Sequence, residues 1–396
     1  MTSHSNRVVA LGALAAFLDG YDVQALGLAV PAIAQDWGPA PAAFGPALSF
    51  TLVGMTIGAL GLAPLADRLG RRNLLVAMLA LVGLSTFVSA GAQNLTILAA
   101  TRLVAGLGLG AIVPVAIALA TEHAPAARRT ATVTALVVAT ALGALAASLV
   151  APRLELAFGW RGIFAVGAAL PLVALPLIWA ALPKEPRKVP SVAQPLPGPL
   201  GLLTPTLRLR TVLVWTISVL NLCVNYTLIS WLPTVLVASG WQRSGAQKAA
   251  GLLALGGIVG GLVLGWLADR GHAFRALRVA YSLATVSLAL FLWGAAPQAV
   301  WIVLILGVGL GAFGGQMMLG ALTAQFYPAA LRATGVGWSS GIGRVGSVLG
   351  PMGLAWAMAA GVAPAVLLGA LLAPMAACAL IVGWLPRALS EPKGSV

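Results

Sequence analysis

The chain has 396 residues, of which 60% are hydrophobic and 8% are charged, whereas a soluble domain carries about 25% charged residues. So few charges cannot cover a water-exposed surface, which excludes an ordinary soluble enzyme or binding domain. The formal net charge of +14 would suit nucleic acid, but the basic residues cluster in short segments between long apolar runs. This distribution indicates membrane topology, and no nucleic-acid partner is expected.

Apolar runs of roughly 20 residues recur along the chain, each long enough to cross a bilayer as a helix. Because lipid offers the backbone no hydrogen-bonding partners, continuous runs predict helices rather than barrel strands. The predicted fold class is an all-α membrane protein with twelve transmembrane helices in two six-helix bundles. Helices are predicted near residues 8–34, 44–66, 73–91, 95–121, 130–151, 162–182, 209–237, 246–267, 276–295, 298–325, 332–358 and 362–386.

The predicted domains are an N-terminal bundle at 1–182, a cytoplasmic linker at 183–207 and a C-terminal bundle at 208–396. The linker is rich in proline and carries several charged residues, which is typical of a connection between bundles. Most of the 23 Lys and Arg residues fall on the linker's side of the membrane. The positive-inside rule therefore predicts a multi-pass protein of the cell inner membrane with both termini in the cytoplasm.

The two bundles repeat each other in sequence. Leu65-Ala66-Asp67-Arg68 recurs about 200 residues later as Leu267-Ala268-Asp269-Arg270. The segment 106–111 recurs at 307–312 with nearly the same offset. Ordered matches at one offset indicate duplication. Since six helices restore the original orientation, the copies are predicted to be a parallel repeat with a solute path between the halves.

The loop between the second and third predicted helices carries Gly61, Leu65-Ala66-Asp67-Arg68 and Gly70-Arg71-Arg72. It resembles the signature loop of the major facilitator superfamily, and the resemblance covers the whole chain. In that superfamily the aspartate and arginines form a cytoplasmic latch that rearranges as the halves rock. The arginines also fit a simpler role as topology determinants. The resemblance implies a gating loop of Asp67, Arg68, Arg71 and Arg72, with Asp269 and Arg270 in the second copy.

Two acidic residues stand inside the first predicted helix. Asp19 lies 12 residues past Arg7, which is about 18 Å of helix rise and near the bilayer midplane. Asp22 follows three residues later and projects from the same helix face. A carboxylate at this depth costs about 3 kcal/mol, so a function is expected of it, and proton coupling suits a pair of carboxylates. The alternative is a structural pair hydrogen-bonded to neighbouring helices.

Two arginines share this depth in the predicted helices, Arg102 in the fourth and Arg344 in the eleventh. Each fits a counter-ion for Asp19 or Asp22, and each equally fits a fork for a substrate carboxylate. For Arg102 both roles stay open. Arg344 is the favoured anion contact, because the glycines around it permit close approach of helices.

The first-helix sequence Leu18-Asp19-Gly20-Tyr21-Asp22 resembles the aromatic acid:proton symporter family within the superfamily. The segment from Tyr327-Pro328 through Arg332 to Gly343-Arg344 resembles the same family closely. The resemblance implies that Asp19 and Asp22 are needed for transport. Predicted substrate contacts are Arg344, Arg102, Tyr226, Asn225, Trp338, Gln316 and Tyr21, although each aromatic residue also fits ordinary packing.

The predicted function is a proton-coupled secondary transporter that imports a small aromatic carboxylate by alternating access. Its expected partners are the acid, the proton and membrane lipid, and it is expected to act as a monomer with neither a metal nor another cofactor. A different organic acid, such as nicotinate or a sugar acid, and a proton-driven exporter of the same fold remain alternatives. An intramembrane enzyme is disfavoured, because no HExxH motif is present and both aspartates stand on one helix.

Overall fold

The computed structural model describes residues 3–183, 199–292, 297–323, 325–328 and 331–389. Every regular element in these ranges is helical, so the predicted all-α fold is confirmed. Most of the predicted linker, residues 184–198, lies outside the described residues. Twelve helical segments, labelled α1 to α12, follow the order of the predicted spans.

The first six segments begin with the longest helix of the structure. One of them is not a simple α-helix, since α2 passes through π and 3-10 turns before its last short α-helical segment. The bounds are α1 Ser3–Trp37, α2 Gly45–Leu69, α3 Arg71–Ala90, α4 Leu95–His123, α5 Arg129–Phe158 and α6 Arg161–Ala181. A 3-10 turn, Pro41–Phe44, precedes α2.

The later six segments follow a 3-10 turn at Pro199–Leu203. One of them, α10, contains the π-helical segment Gly309–Phe313, and α12 is formed by two successive helices. The bounds are α7 Arg208–Ala238, α8 Arg243–Asp269, α9 Ala273–Phe291, α10 Gln298–Thr323, α11 Arg332–Ala359, and α12 Pro364–Gly369 with Leu372–Leu389.

Eleven helices within the described ranges are long and apolar enough to cross a membrane. The remaining predicted span, α11, is a helix of 28 residues that carries Arg332 and Arg344. The largest boundary difference is at α5, which continues to Phe158 although the prediction ended at 151. Glu155 therefore lies in a helix and not in a loop.

The chain divides into two compact units. Unit 1 contains the described residues of Met1–Val192 together with Ile229–Gly251 and Pro351–Ala359. Unit 2 contains the described residues of Ala193–Leu228, Leu252–Gly350 and Ala360–Val396. The division into domains at 1–182 and 208–396 stays a prediction.

Glycines set the closest helix crossings in each unit. In unit 1, a Cβ at Gly20 of α1 would overlap the Thr140 carbonyl of α5, and one at Gly143 of α5 would overlap the Phe17 carbonyl. In unit 2, a Cβ at Gly346 of α11 would overlap the Val219 carbonyl of α7. Such crossings let backbones touch where lipid supplies no hydrophobic driving force. In unit 1 they fix the position of α1 and hence of its aspartates.

Candidate functional site

A buried ion pair joins α1 to α4. Arg102 Nη1 lies 2.6 Å from Asp22 Oδ1, and the two side chains are 0% and 1% exposed. A charge buried without a partner would be strongly destabilising, so each of these residues stabilises the other. Of the two roles that the sequence left open for Arg102, the structure places it in contact with Asp22.

The third helix completes this pair with two hydroxyl groups. Thr86 donates a hydrogen bond of 2.6 Å to Asp22 Oδ2 and accepts one of 2.6 Å from Arg102 Nη2. Arg102 Nε donates to Ser89 Oγ at 3.3 Å. The guanidinium also lies 5.4 Å from the centre of the Phe164 ring of α6. The carboxylate and the guanidinium therefore neutralise each other and are hydrogen-bonded among the four helices α1, α3, α4 and α6.

The hydroxyl of Thr86 gives the first prediction. Thr86→Val keeps the shape of the side chain but leaves Asp22 Oδ2 and Arg102 Nη2 without that bond. We expect the variant to be less stable by about 1–3 kcal/mol, which is the cost of unsatisfied buried polar groups. Thermal unfolding of the detergent-solubilised protein measures this.

The matched control is Thr56→Val in α2. Thr56 donates only to Leu52 of its own helix, at 2.8 Å, so no contact between helices is lost. Thr86→Ser should retain the parent's melting temperature within a few degrees, because it keeps the hydroxyl. Equal melting temperatures for Thr86→Val and Thr56→Val would contradict the bridging role.

The other two predicted site residues of α1, Asp19 and Tyr21, are also buried. Asp19 is 3% exposed and stands one turn before Asp22. Tyr21 is equally buried, and its hydroxyl donates to the Ile163 carbonyl of α6 at 3.2 Å. Its ring also lies against Gly167, where a Cβ would be 3.2 Å away. Tyr21 thus packs α1 against α6, and its role as a substrate contact stays a prediction.

In unit 2, two amides of α7 bind one backbone carbonyl of α10. Asn221 Nδ2 donates to the Ala312 carbonyl at 3.1 Å, and Asn225 Nδ2 donates to the same oxygen at 3.4 Å. Asn225 Nδ2 also lies 3.2 Å from Asn221 Oδ1. Ala312 belongs to the π-helical segment. These bonds fix the amide of Asn225, which the sequence predicted only as a substrate contact.

The remaining predicted contacts of unit 2 differ in their surroundings. Arg344 of α11 is half-buried and forms no ion pair with any residue that the structure describes. Gln316 of α10 is also half-buried, and within the described ranges its Oε1 has no hydrogen-bond partner. Trp338 is 42% exposed and packs on Trp215, with ring centres 6.3 Å apart. Tyr226 is half-buried.

The predicted gating loop contains a turn that requires glycine, because Gly70 has a φ of 86°. Arg71 pairs with Glu122 at the end of α4 and lies 3.4 Å from Asp67, which is 77% exposed. Arg72 is buried, with its guanidinium 4.3 Å above the Trp179 ring and donating to the Trp179 carbonyl. The loop therefore connects α3 to α4 and to α6.

The other gating residues are exposed. Arg68, Asp269 and Arg270 all have exposed side chains. Arg270 directly follows α8, and its guanidinium lies 3.6 Å from the centre of the Trp266 ring of that helix. The gating role of all six residues stays a prediction.

A polar cluster that the sequence did not predict lies in unit 1, at the end of the helices opposite the Asp67 loop. Glu155 of α5 accepts hydrogen bonds from Arg243 and, at 2.6 Å, from Gln247 Nε2 of α8. Arg243 also donates to Gln35 of α1, and Gln247 donates to the Leu28 carbonyl at 3.3 Å. The sequence predicts no functional role for Glu155. Its partners are 88 and 92 residues away, beyond the reach of local sequence patterns.

The clearest feature of the site is the buried ion pair of Asp22 with Arg102. Among the described residues, no group of three or more His, Cys, Asp or Glu side chains could hold a metal ion. Residues 12–351 match the family model of the Major Facilitator Superfamily. The chain belongs to the major facilitator superfamily. Since this is a superfamily of transporters, the expectation of a transporter and not an enzyme is confirmed.

Within the major facilitator superfamily, curated relatives match nearly the full length of the chain. The 4-hydroxybenzoate transporter PcaK of Pseudomonas aeruginosa is 35% identical, with 88% of this chain and 87% of PcaK covered. The 3-(3-hydroxy-phenyl)propionate transporter of Escherichia coli is 36% identical, covering 89% and 87%. The Gallate transporter of Pseudomonas putida is 31% identical, covering 87% and 84%. The predicted resemblance to aromatic acid transporters is confirmed.

Solved structures of the superfamily share the fold at low sequence identity. The xylose transporter XylE from E. coli, in an inward open conformation, superposes with a TM-score of 0.72 at 16% identity, covering 99% of this chain and 98% of XylE. An occupied, inward-facing bacterial homologue of the human lysosomal transporter Spinster gives a TM-score of 0.71 at 18% identity, covering 98% and 96%. These similarities establish the fold of this multi-pass membrane protein.

Proposed function

We propose that the chain imports a small aromatic carboxylate together with a proton, by alternating access. The protein would lie in the cell inner membrane with both termini in the cytoplasm, and would work as a monomer. The relatives that carry names of aromatic acid transporters support the substrate class. The positive-inside distribution of Lys and Arg supports the orientation.

The observation that carries the proposal is the unequal state of the two intramembrane arginines. Arg102 is fully buried, and Asp22 neutralises its charge. Arg344 is half-buried and, within the described residues, has no carboxylate partner. A cation within a membrane helix is costly unless it meets an anion, so Arg344 is suited to bind the carboxylate of the solute.

Proton coupling follows from charge balance in this proposal. Asp22 in its ionised form neutralises Arg102. When a proton binds Asp22, Arg102 loses its counter-charge in an environment where an unpaired charge is expensive. A carboxylate that arrives with the proton restores the negative charge that protonation removed. Proton and acid then move together because either one alone leaves the transport path with an unbalanced charge.

The test is uptake of labelled 4-hydroxybenzoate by proteoliposomes that are alkaline inside. Protein-free liposomes correct for diffusion of the neutral acid. We expect Arg344→Gln to raise KM by about tenfold to a hundredfold, the loss expected for a charge-assisted hydrogen bond. The KM of Arg344→Lys should lie between those of the parent and of Arg344→Gln, because lysine keeps the charge but not the bidentate geometry of arginine.

The matched control is Arg275→Gln, which removes an exposed arginine of the second half that has no predicted role. Its KM should match that of the parent. An Arg344→Gln variant with an unchanged KM would remove Arg344 from the binding site. Failure of the parent to take up 4-hydroxybenzoate, benzoate and hydroxyphenylpropionate alike would contradict the proposed substrate class, and gradient-driven expulsion would instead support an exporter.

A further inference from the structure

The Glu155 cluster binds three helices at one end of unit 1. Its members are Glu155 of α5, Gln35 of α1, and Arg243 with Gln247 of α8. The side chains of Glu155 and Arg243 are 14% and 31% exposed, so water reaches the edge of the pair. Among the described residues, the side chain of Glu155 accepts hydrogen bonds only from α8, so the cluster is a polar contact between α8 and α5.

Close backbone packing surrounds this polar contact. A Cβ at Gly27 of α1 would overlap the Ile229 carbonyl of α7. A Cβ at Gly251 of α8 would lie 3.0 Å from the Ser148 side chain of α5. The first turns of α8 and the last turns of α7 are thus pressed against α1 and α5. Ser148 itself is fully buried beneath this contact.

The polar contact between α8 and α5 is suited to form and break reversibly. A partly exposed ion pair contributes little net stability, because water solvates both partners once they separate. Apolar side chains interlocked over the same area would lose far more on separation. A polar cluster with small residues around it therefore suits a contact that must form and break in each cycle.

We infer that Glu155, Arg243 and Gln247 form the outer gate of the transport cycle, and that the structure holds this gate closed. The inference rests on the proposed alternating access and on the proposed orientation, which puts this end outside the cell. Solute reaches its site from outside only after α8 separates from α5. Glu155 is then a gating residue of the cycle that touches neither the solute nor the Asp22–Arg102 pair.

The experiment measures how often this end opens. Cys223 and Cys378 are first replaced by serine and alanine, and Ser148→Cys then provides a single thiol under the contact. Labelling by a bulky, membrane-impermeant maleimide is followed in purified protein without substrate. Glu155→Gln should label about tenfold faster than the parent, because losing the ion pair shifts the equilibrium towards the open form.

Two further variants separate gating from general loosening. Asp36→Asn removes an ion pair at the same end, the 3.4 Å contact with Arg161, which joins α1 to α6 and leaves α8 untouched. It should label at the parent rate. The exchange of charges in Glu155→Arg with Arg243→Glu should restore slow labelling, whereas each single reversal should label fast.

Equal labelling of Glu155→Gln and the parent would overturn the inference, and so would a charge exchange that labels as fast as its single variants. Because no substrate or proton gradient is present, this result is independent of the uptake test. A protein that takes up no aromatic acid can still show the gate, and a protein that transports can lack it.

Discussion

Replacing Arg102 with methionine is expected to destabilise the protein by about 3–5 kcal/mol and to abolish uptake. The substitution leaves Asp22 fully buried without its counter-ion and removes the partner of Thr86 and Ser89. Methionine fills much of the same volume, so the loss reflects charge more than packing. Thermal unfolding and uptake in proteoliposomes measure the two effects separately.

The double variant Arg102→Met with Asp22→Asn distinguishes charge from shape. Removing both charges eliminates the unpaired carboxylate, so most of the lost stability should return. Accumulation driven by the proton gradient should stay absent, because the proposed proton site is gone. The matched control is Arg161→Met, whose ion pair with Asp36 is about half exposed and contributes at most about 1 kcal/mol. Arg102→Met that unfolds at the temperature of Arg161→Met would contradict the role of the buried pair.

Replacing Asp22 with asparagine is expected to remove the response of uptake to the proton gradient. One pH unit supplies about 1.4 kcal/mol per proton, so the parent should accumulate the acid about tenfold per unit of gradient if one proton enters with each anion. The asparagine variant should only equilibrate the acid. Its amide oxygen still accepts from Arg102 and its NH2 group faces Thr86 as a donor, but the amide does not take up a proton.

The charge-balance proposal adds a second readout to this experiment. Co-transport of one anion with one proton moves no net charge, so a potassium diffusion potential should leave uptake by the parent unchanged. Asp36→Asn is a suitable control, because it removes a half-exposed carboxylate at the end of α1. Accumulation by Asp22→Asn that still rises with the pH gradient would show that the proton binds elsewhere.

Local sequence patterns were sufficient for the helices, because lipid leaves a continuous apolar run no alternative to an internally hydrogen-bonded helix. The predicted bounds 298–325 and 332–358 lie close to α10 and α11 in the structure. The predicted bounds differ most at α5, where the prediction ends at 151 but the helix continues through Pro152 to Phe158. Proline is tolerated in membrane helices, since neighbouring groups can satisfy the freed carbonyl.

Only part of the candidate site could be predicted from the sequence. Asp22 and Arg102 stand out because ionised residues are rare within apolar runs. Thr86 and Ser89 do not, because hydroxyls in membrane helices commonly bond to their own backbone, as Thr56 and Thr216 do. Only the helix packing reveals that Thr86 faces Asp22 across 64 residues of sequence. The pairing of Arg102 with Asp22 likewise required three-dimensional contacts.

The pair of Asp22 with Arg102 also constrains how the protein is made. The two residues are 80 positions apart, so at about 5–20 residues per second the ribosome needs roughly 4–16 s to deliver the arginine after the aspartate. During that interval α1 would carry Asp19 and Asp22 into the bilayer without a counter-ion, at a cost of about 3 kcal/mol each. The first helix must therefore be retained beside the insertion machinery, or be protonated, until α4 arrives. Membrane insertion of this protein thus ends with the closing of an ion pair and not with the entry of its first segment.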